Sequence, residues 1–324
     1  MTVYFRQYSG FFAWLVLLAG LSGEPACSHD KKTGASVVIF GIEDKASASI
    51  DGVAFDREQV RNMLEGAVER SPHLTLVSGE DHGTYKAELT VVLASEREST
   101  TPDEKGVYRA VQVDLSLTSW EAGHVEQSLS ALGKAFLVQD PDRQDRQRGF
   151  NEVLKNSVAR AVELVGLQIE ARGMSPGELR VILSSDDEEK RLYTLRSLRE
   201  RHEPSLLPRV IEMLDDQDAD VALEAVGVLV GERAKSAVVP LIRISRGRDR
   251  IFLLQVITAL GEIGGSVARG FLFTVAAGHD SPEIRRRAAE SLRHVLLSQR
   301  TGKNVALPMS GARDDSKRAE RGIR

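Results

Sequence analysis

The feature that most constrains this chain is a residue pattern that repeats every 31 or 32 positions in its C-terminal half. A helix-capping residue, a residue three positions later and a leucine eight positions after that keep one register through four copies. Self-similarity at such a period is the signature of a helical repeat array, and Asp and Ser are favoured helix N-caps. The three columns are Asp187, Asp218, Asp249 and Ser281; Lys190, Val221, Phe252 and Ile284; and Leu198, Leu229, Leu260 and Leu292.

A second pattern shows which face of each repeated helix should be buried. Counted from Val221 and its equivalents, positions 0, 4, 5 and 8 are apolar in the last three copies. At 100° per residue these positions form one stripe along a helix. One helix pair cannot bury its stripe alone, so neighbouring copies must stack and share a core. The sequence therefore predicts four helix pairs over residues 175–299.

Two segments of the array carry a family resemblance. Residues 259–264 read ALGEIG, and residues 280–289 read DSPEIRRRAA. They resemble the ALGxIG ending and the D-x-x-V-R-x-x-A-A helix start of HEAT-type repeats, of the short variety also seen in phycobilisome-lyase-like proteins. The resemblance implies an all-α HEAT-like solenoid whose second helices line a concave surface. Lys190, where an aliphatic residue belongs, fits a divergent terminal repeat.

Position 2 of the same helices lies on the face opposite the buried stripe. It holds a leucine in the first three copies and an arginine in the fourth. Exposed apolar lines of this kind usually mark a contact surface, and two contacts are open: an external partner or the protein's own N-terminal domain. A line that is merely exposed is the third alternative. The predicted partner groove comprises Leu192, Tyr193, Leu223 and Leu254, with Arg285, Arg286 and Arg287 at its rim.

Residues 36–172 are expected to form a separate α+β domain. The segment over residues 108–120 alternates apolar and polar side chains, as a half-buried antiparallel strand does. The predicted element order β-α-β-β-β-β-α favours an antiparallel sheet with helices on one face. By that order the domain resembles small α+β domains of exported bacterial envelope lipoproteins and secretion accessory proteins.

The first 26 residues read as a signal peptide. Arg6 precedes an apolar run over residues 11–21, which is shorter than the ~20 residues that a spanning helix needs. Cys27, the only cysteine, follows Ala26. This junction resembles a bacterial lipoprotein signal, although the preceding Glu and Pro depart from the family pattern.

The lipoprotein resemblance implies that Cys27 is lipidated and anchors the chain, with residues 27–35 as a linker. Cleavage near Ser22 or an uncleaved anchor are the alternatives, and each of them exports the chain. Ser28 is not the Asp that favours inner-membrane retention in some bacteria, which favours the outer membrane. Residues 300–324 lack apolar periodicity and are predicted to be a disordered, mildly basic tail.

No catalytic motif stands out in the sequence. The seven histidines form no H-E-x-x-H motif, and the chain has no phosphate-binding glycine loop. Glu80-Asp81-His82 and His279-Asp280 are weak metal candidates, for which loop and helix-cap roles are favoured. The net charge of −4 and the absence of aromatic residues within the 285–287 arginine run argue against nucleic-acid binding. We therefore expect no enzyme activity and no cofactor.

These features together predict a non-catalytic scaffold of the bacterial cell envelope. The chain would be exported, anchored by lipid and facing the periplasm, where the repeat array binds another envelope protein. An accessory subunit of a secretion or cell-wall machine is the alternative within this class. A lyase-like enzyme or enzyme subunit is the alternative from another class.

Overall fold

The computed structural model describes residues 34–79, 84–98, 106–121, 124–139 and 146–304. The N-terminal half is a mixed α/β layer structure and the C-terminal half is helical, as the sequence predicts at this level. In the N-terminal half the elements are β1 (Ala35–Asp44), α1 (Arg57–Arg70), β2 (Leu74–Leu76), β3 (Tyr85–Glu98), β4 (Val107–Glu121), β5 (His124–Gln139) and α2 (Arg146–Ala171).

The sheet is mixed, so the expectation of an antiparallel sheet was wrong. The strand order is β2-β1-β3-β4-β5, and β1 pairs in parallel with both β2 and β3. Only the β3–β4 and β4–β5 pairs are antiparallel. The parallel β1–β2 pair is explained by α1, because a crossover helix between two strands returns the chain to the same end of the sheet.

Helices α1 and α2 pack together on one face of the sheet, in agreement with the predicted layering. The alternation along β4 follows the expected period, since Val111, Val113, Leu115 and Leu117 are all buried. Phe150 of α2 and Leu64 of α1 complete the same apolar core.

The C-terminal half consists of helix pairs whose longer members pack in chain order. Helix α4 packs on α6, α6 on α8 and α8 on α10. Short 3₁₀ segments lie next to α5 and α7. The helices are α3 (Pro176–Ile182), α4 (Glu188–Glu200), α5 (Leu207–Glu212), α6 (Ala219–Gly231), α7 (Val238–Ser245), α8 (Arg250–Ile263), α9 (Ser266–Gly278) and α10 (Pro282–Asn304).

The capping and stripe patterns account for where these helices begin and what they bury. Asp187, Asp218 and Asp249 each accept a hydrogen bond from a main-chain N–H in the first turn of α4, α6 and α8. All four stripe positions are buried in both α6 and α8. In α10 the burial shifts toward Val295, and Leu292 is only half-buried, because no further helix pair follows within the described residues.

Several sequence predictions concern residues outside the described part. The predicted signal peptide (1–26), Cys27 and residues 305–324 of the predicted tail lie outside it. The tail was predicted to begin at residue 300, but α10 continues to Asn304, which corrects that boundary. Within the described ranges, no helix has both the length and the hydropathy to cross a membrane.

Candidate protein-binding groove

A groove of about 510 Å³ runs along the exposed faces of α4, α6 and α8. Two of the three predicted leucines, Leu192 and Leu223, line it. Leu254 does not line it, and all three are half-buried and pack against the helical core. We call this surface the array groove. The remaining lining side chains include Val226 and Val230 on the apolar side and Arg196, Arg199, Asp220, Glu224 and Glu262 among the charged groups.

An ion-pair cluster crosses the array groove between α4 and α6. The Glu224 carboxylate lies 3.6 Å from Arg196 Nε and 3.3 Å from Arg199 Nη1. Only 12% of the Glu224 side chain is exposed, whereas the two arginines are considerably more open. Two guanidinium groups and three carboxylates, including Asp220 and Glu262, thus lie beside an apolar strip, and such a mixture suits contact with a protein surface of mixed character.

Two further depressions lie next to the array groove. Leu192 and Asp220 also line a trough of about 460 Å³ between the helices and the sheet, which we call the sheet trough. Arg196, Arg199 and Glu224 also line a polar pocket of about 650 Å³ beside β5. The array groove therefore adjoins both of these depressions through shared lining residues.

Tyr193 was predicted to line the groove, and the structure corrects this. The side chain is 2% exposed and belongs to the core of the sheet domain. Its phenol oxygen accepts a 2.6 Å hydrogen bond from the Leu132 main-chain N–H of β5. Burial raises the pKa of the Tyr193 phenol. Tyr193 therefore joins the two halves of the molecule and is not available to an external partner.

Arg160 of α2 forms a second junction between the halves. Its guanidinium group donates to Asp187 at 2.5 Å, Glu189 at 2.7 Å and Glu163 at 2.9 Å. Burial opposes the charge of Arg160, but the three carboxylates outweigh it and raise its pKa. Burial likewise opposes ionisation of Glu163 and Asp187, yet hydrogen bonds from Lys190 and Arg160 hold both carboxyl pKa values below their ordinary range.

The three arginines predicted at the rim do not line the array groove. Arg285 donates to the main-chain oxygens of His279 and Asp280 at 2.6 and 2.9 Å, so it caps the preceding loop. Arg287 pairs with Glu290 of its own helix at 3.7 Å. Arg286 is exposed at the position-2 site of α10, one helix beyond the groove. The rim prediction therefore placed these residues one repeat too far along the array.

Of the two metal candidates from the sequence, only His279-Asp280 lies in the described part of the chain, and it belongs to no metal-binding group there. Among the described residues, no group of three or more His, Cys, Asp or Glu side chains is arranged to hold an ion. His279 accepts a hydrogen bond through Nδ1 from the Ser281 N–H at 3.1 Å, which is a helix-start role. Glu80-Asp81-His82 lies outside the described part.

Comparisons with known proteins add little to this geometry. No protein-family model matches the chain, and no curated protein matches it. A crystal structure of a minor lipoprotein from Acinetobacter baumannii is similar over 44% of this chain and 97% of that chain, at 11% sequence identity and a TM-score of 0.25. The function of the chain is therefore inferred from the geometry of its grooves.

Proposed function

We propose that this chain is a non-catalytic protein-binding scaffold of the bacterial cell envelope, in which α3 to α10 act as a HEAT-like solenoid. The array groove is its partner surface. The observation that carries the proposal is the half-exposed pair Leu192 and Leu223, flanked by the Arg196, Arg199 and Glu224 cluster. Apolar strips with a charged rim are typical of protein contacts.

The placement in the envelope is part of the same proposal and is supported by the sequence of the first 28 residues. We propose that Cys27 carries lipid and tethers the periplasm-facing chain, with the outer membrane favoured. One acyl chain alone anchors weakly, so stable anchoring needs the several chains of a lipoprotein. Fatty-acid labelling of the native protein tests the anchor, and label that persists in a Cys27→Ser variant would contradict it.

The groove is tested by placing a photo-crosslinking amino acid at position 223 in the full-length protein, in native envelopes. We expect one defined adduct, because Leu223 lies on the floor of the array groove. The matched control is position 239, since Val239 of α7 is 63% exposed and does not line the groove.

The second test disrupts the apolar line with the double substitution Leu223→Asp, Leu254→Asp. We expect loss of the adduct formed from a crosslinker at position 258, because Thr258 is exposed and lines the array groove but not the sheet trough, and we expect an unchanged circular dichroism spectrum. Both leucines are half-buried, so the double substitution should lower the free energy of unfolding by only ~1–2 kcal/mol. Equal adducts from positions 223 and 239, or adducts that survive the double substitution, would reject the array groove as the partner surface.

A further inference from the structure

Strand β5 is one of the two edges of the sheet, and half of that edge is closed by helices. In an antiparallel pair, main-chain groups of alternate residues point away from the partner strand. The Leu132 N–H points away from β4, since it donates to Tyr193. The Ser130 carbonyl also points away and accepts from Gln168 Nε2 at 3.0 Å. Two side chains from α2 and α4 thus occupy this half of the edge.

The other half of the β5 edge, from Lys134 to Val138, has no strand paired to it among the described residues. Pairing with β4 is continuous from Val107↔Gln139 to Ser119↔Gln127, so Lys134, Phe136 and Val138 share the outward orientation of Leu132. Among the described residues, no hydrogen bond engages their outward main-chain groups. An uncovered edge of this kind is a template for pairing with another strand.

The sheet trough lies alongside this open edge and offers apolar contact. Its apolar walls are Leu93, Tyr108, Phe136 and Leu192. Phe136 is 66% exposed, and its ring stacks on that of Tyr108 with centroids 5.4 Å apart. Alternate side chains of an added strand would point into this trough, which is how strand addition gains side-chain specificity.

The opposite wall of the sheet trough is acidic. Glu189 and Asp218 have partners, because Glu189 pairs with Arg160 and Asp218 caps α6. Glu188 and Asp220 are exposed, and no side-chain partner for either is found among the described residues. Lys134 is the only cation among the lining residues. The unpaired charge facing an occupant of the trough is therefore negative.

We propose that the β5 edge at residues 134–138 binds an extended basic peptide segment of another protein as a sixth strand. The outward main-chain N–H groups of β5 pair with the peptide segment. The apolar side chains of the segment enter the sheet trough, and its Lys or Arg side chains face Glu188 and Asp220. The charge of the wall selects a basic segment over an acidic one. This site goes beyond the array groove, and it does not use Leu223 or Leu254.

The test uses two synthetic heptapeptides, KVKVKVK and EVEVEVE, with blocked ends, and hydrogen exchange of the whole protein followed by NMR. We expect the basic peptide to slow exchange at the Lys134, Phe136 and Val138 amides. The Ala135 and Leu137 amides already pair with β4, so they should not change. Binding should weaken as salt rises from about 0.05 to about 0.5 M, because exposed charges are screened.

Two variants separate strand pairing from charge. Lys134→Pro removes an outward N–H without removing a bond to β4, and proline is tolerated on sheet edges; we expect affinity for the basic peptide to fall about tenfold or more. Glu188→Lys with Asp220→Lys leaves the strand intact and should reverse the preference toward the acidic peptide. The Leu223→Asp, Leu254→Asp protein should bind like the wild type, so failure here and failure of the array groove are distinguishable.

Three results would overturn the proposal. The first is no protection of the three outward amides by either peptide. The second is equal binding of both peptides in the wild type and the charge-reversed variant. The third is protection of these amides without peptide that grows with protein concentration, which would assign the edge to a second copy of the chain.

Discussion

At the residue scale, Gly133 shows how closely α2 approaches the sheet. A Cβ atom on this β5 residue would lie 2.0 Å from the Ser157 main-chain oxygen of α2 and 2.8 Å from the Ala161 Cβ. The Ser157 oxygen and the Ala161 Cβ cannot move aside without shifting the backbone of α2, because both lie on the buried face of that helix. The helix–sheet spacing at this point therefore depends on the absence of a side chain.

We expect Gly133→Ala to lower the free energy of unfolding by about 2–3 kcal/mol, as overpacking in a tight core does. Urea unfolding followed by circular dichroism measures this. The matched control is Gly270→Ala in α9, where a Cβ would meet nothing within 4 Å. There the change should be neutral or stabilise the helix by up to about 1 kcal/mol. Equal effects at the two glycines would contradict the close approach.

The burial of Tyr193 could not be predicted from the residues around it in the sequence. Its neighbour Leu192 lies on the groove, so the helical period alone placed Tyr193 beside it. The burial of Tyr193 depends on β5, 61 residues earlier in the chain, and no local period encodes that contact. The three aspartate caps depend only on residues two or three positions away, and they were predicted correctly.

At the element scale, the helical stripes were predictable and the strand partners were not. Stripes follow from one helix repeating its neighbour's packing, so α6 and α8 bury the expected residues. The parallel pairing of β1 with β2 follows from the crossover through α1, which the element order contained but the alternation within single strands did not show. Similarly, the Arg196–Glu224 contact joins positions 6 and 3 of successive helices, a pairing visible only once the helices are stacked.

The junction of α2 with α4 should make stability depend on pH in the acid range. The pKa values of Glu163 and Asp187 lie below their ordinary values of 4.5 and 3.8 in the folded protein. Their contribution is therefore fully present above about pH 4.5 and is lost as the pH falls through the lowered values. Protonation then removes acceptors from Arg160.

We expect Arg160→Met to cost about 1 kcal/mol at pH 7, a value kept low because these side chains are 17–49% exposed and solvent screens them. Its unfolding free energy should converge with that of the wild type as the pH falls through the lowered pKa values of Glu163 and Asp187, since these two partners then become protonated. Arg287→Met, which breaks the exposed pair with Glu290, is the control and should change stability by a few tenths of a kcal/mol at most. Parallel pH curves for Arg160→Met and the wild type would show that ionisation of these carboxylates does not contribute to stability through Arg160.

At the scale of the whole molecule, the sheet half and the helical half share their stabilising contacts. The residues that the structure describes all belong to one compact unit. Leu192 packs against the apolar cores of both halves. Arg201 of the α4–α5 connection donates to the Ala171 carbonyl at the end of α2 at 2.6 Å. Together with Tyr193 and Arg160, these contacts tie α4 to the sheet domain and fix the position of the sheet trough between the halves.

We therefore expect the two halves to unfold in one cooperative transition. A chain that begins at Ser28 keeps Trp120 on β4 as its only tryptophan, so fluorescence reports on the sheet while circular dichroism at 222 nm reports mainly on the helices. The two urea curves should coincide in the wild type, the usual test of two-state unfolding. They should separate in a variant carrying Arg160→Met and Tyr193→Phe, because two of the polar ties between the halves are then lost. Separate transitions in the wild type would instead mean that the array folds independently of the sheet, and that the sheet trough is a boundary between two moving bodies.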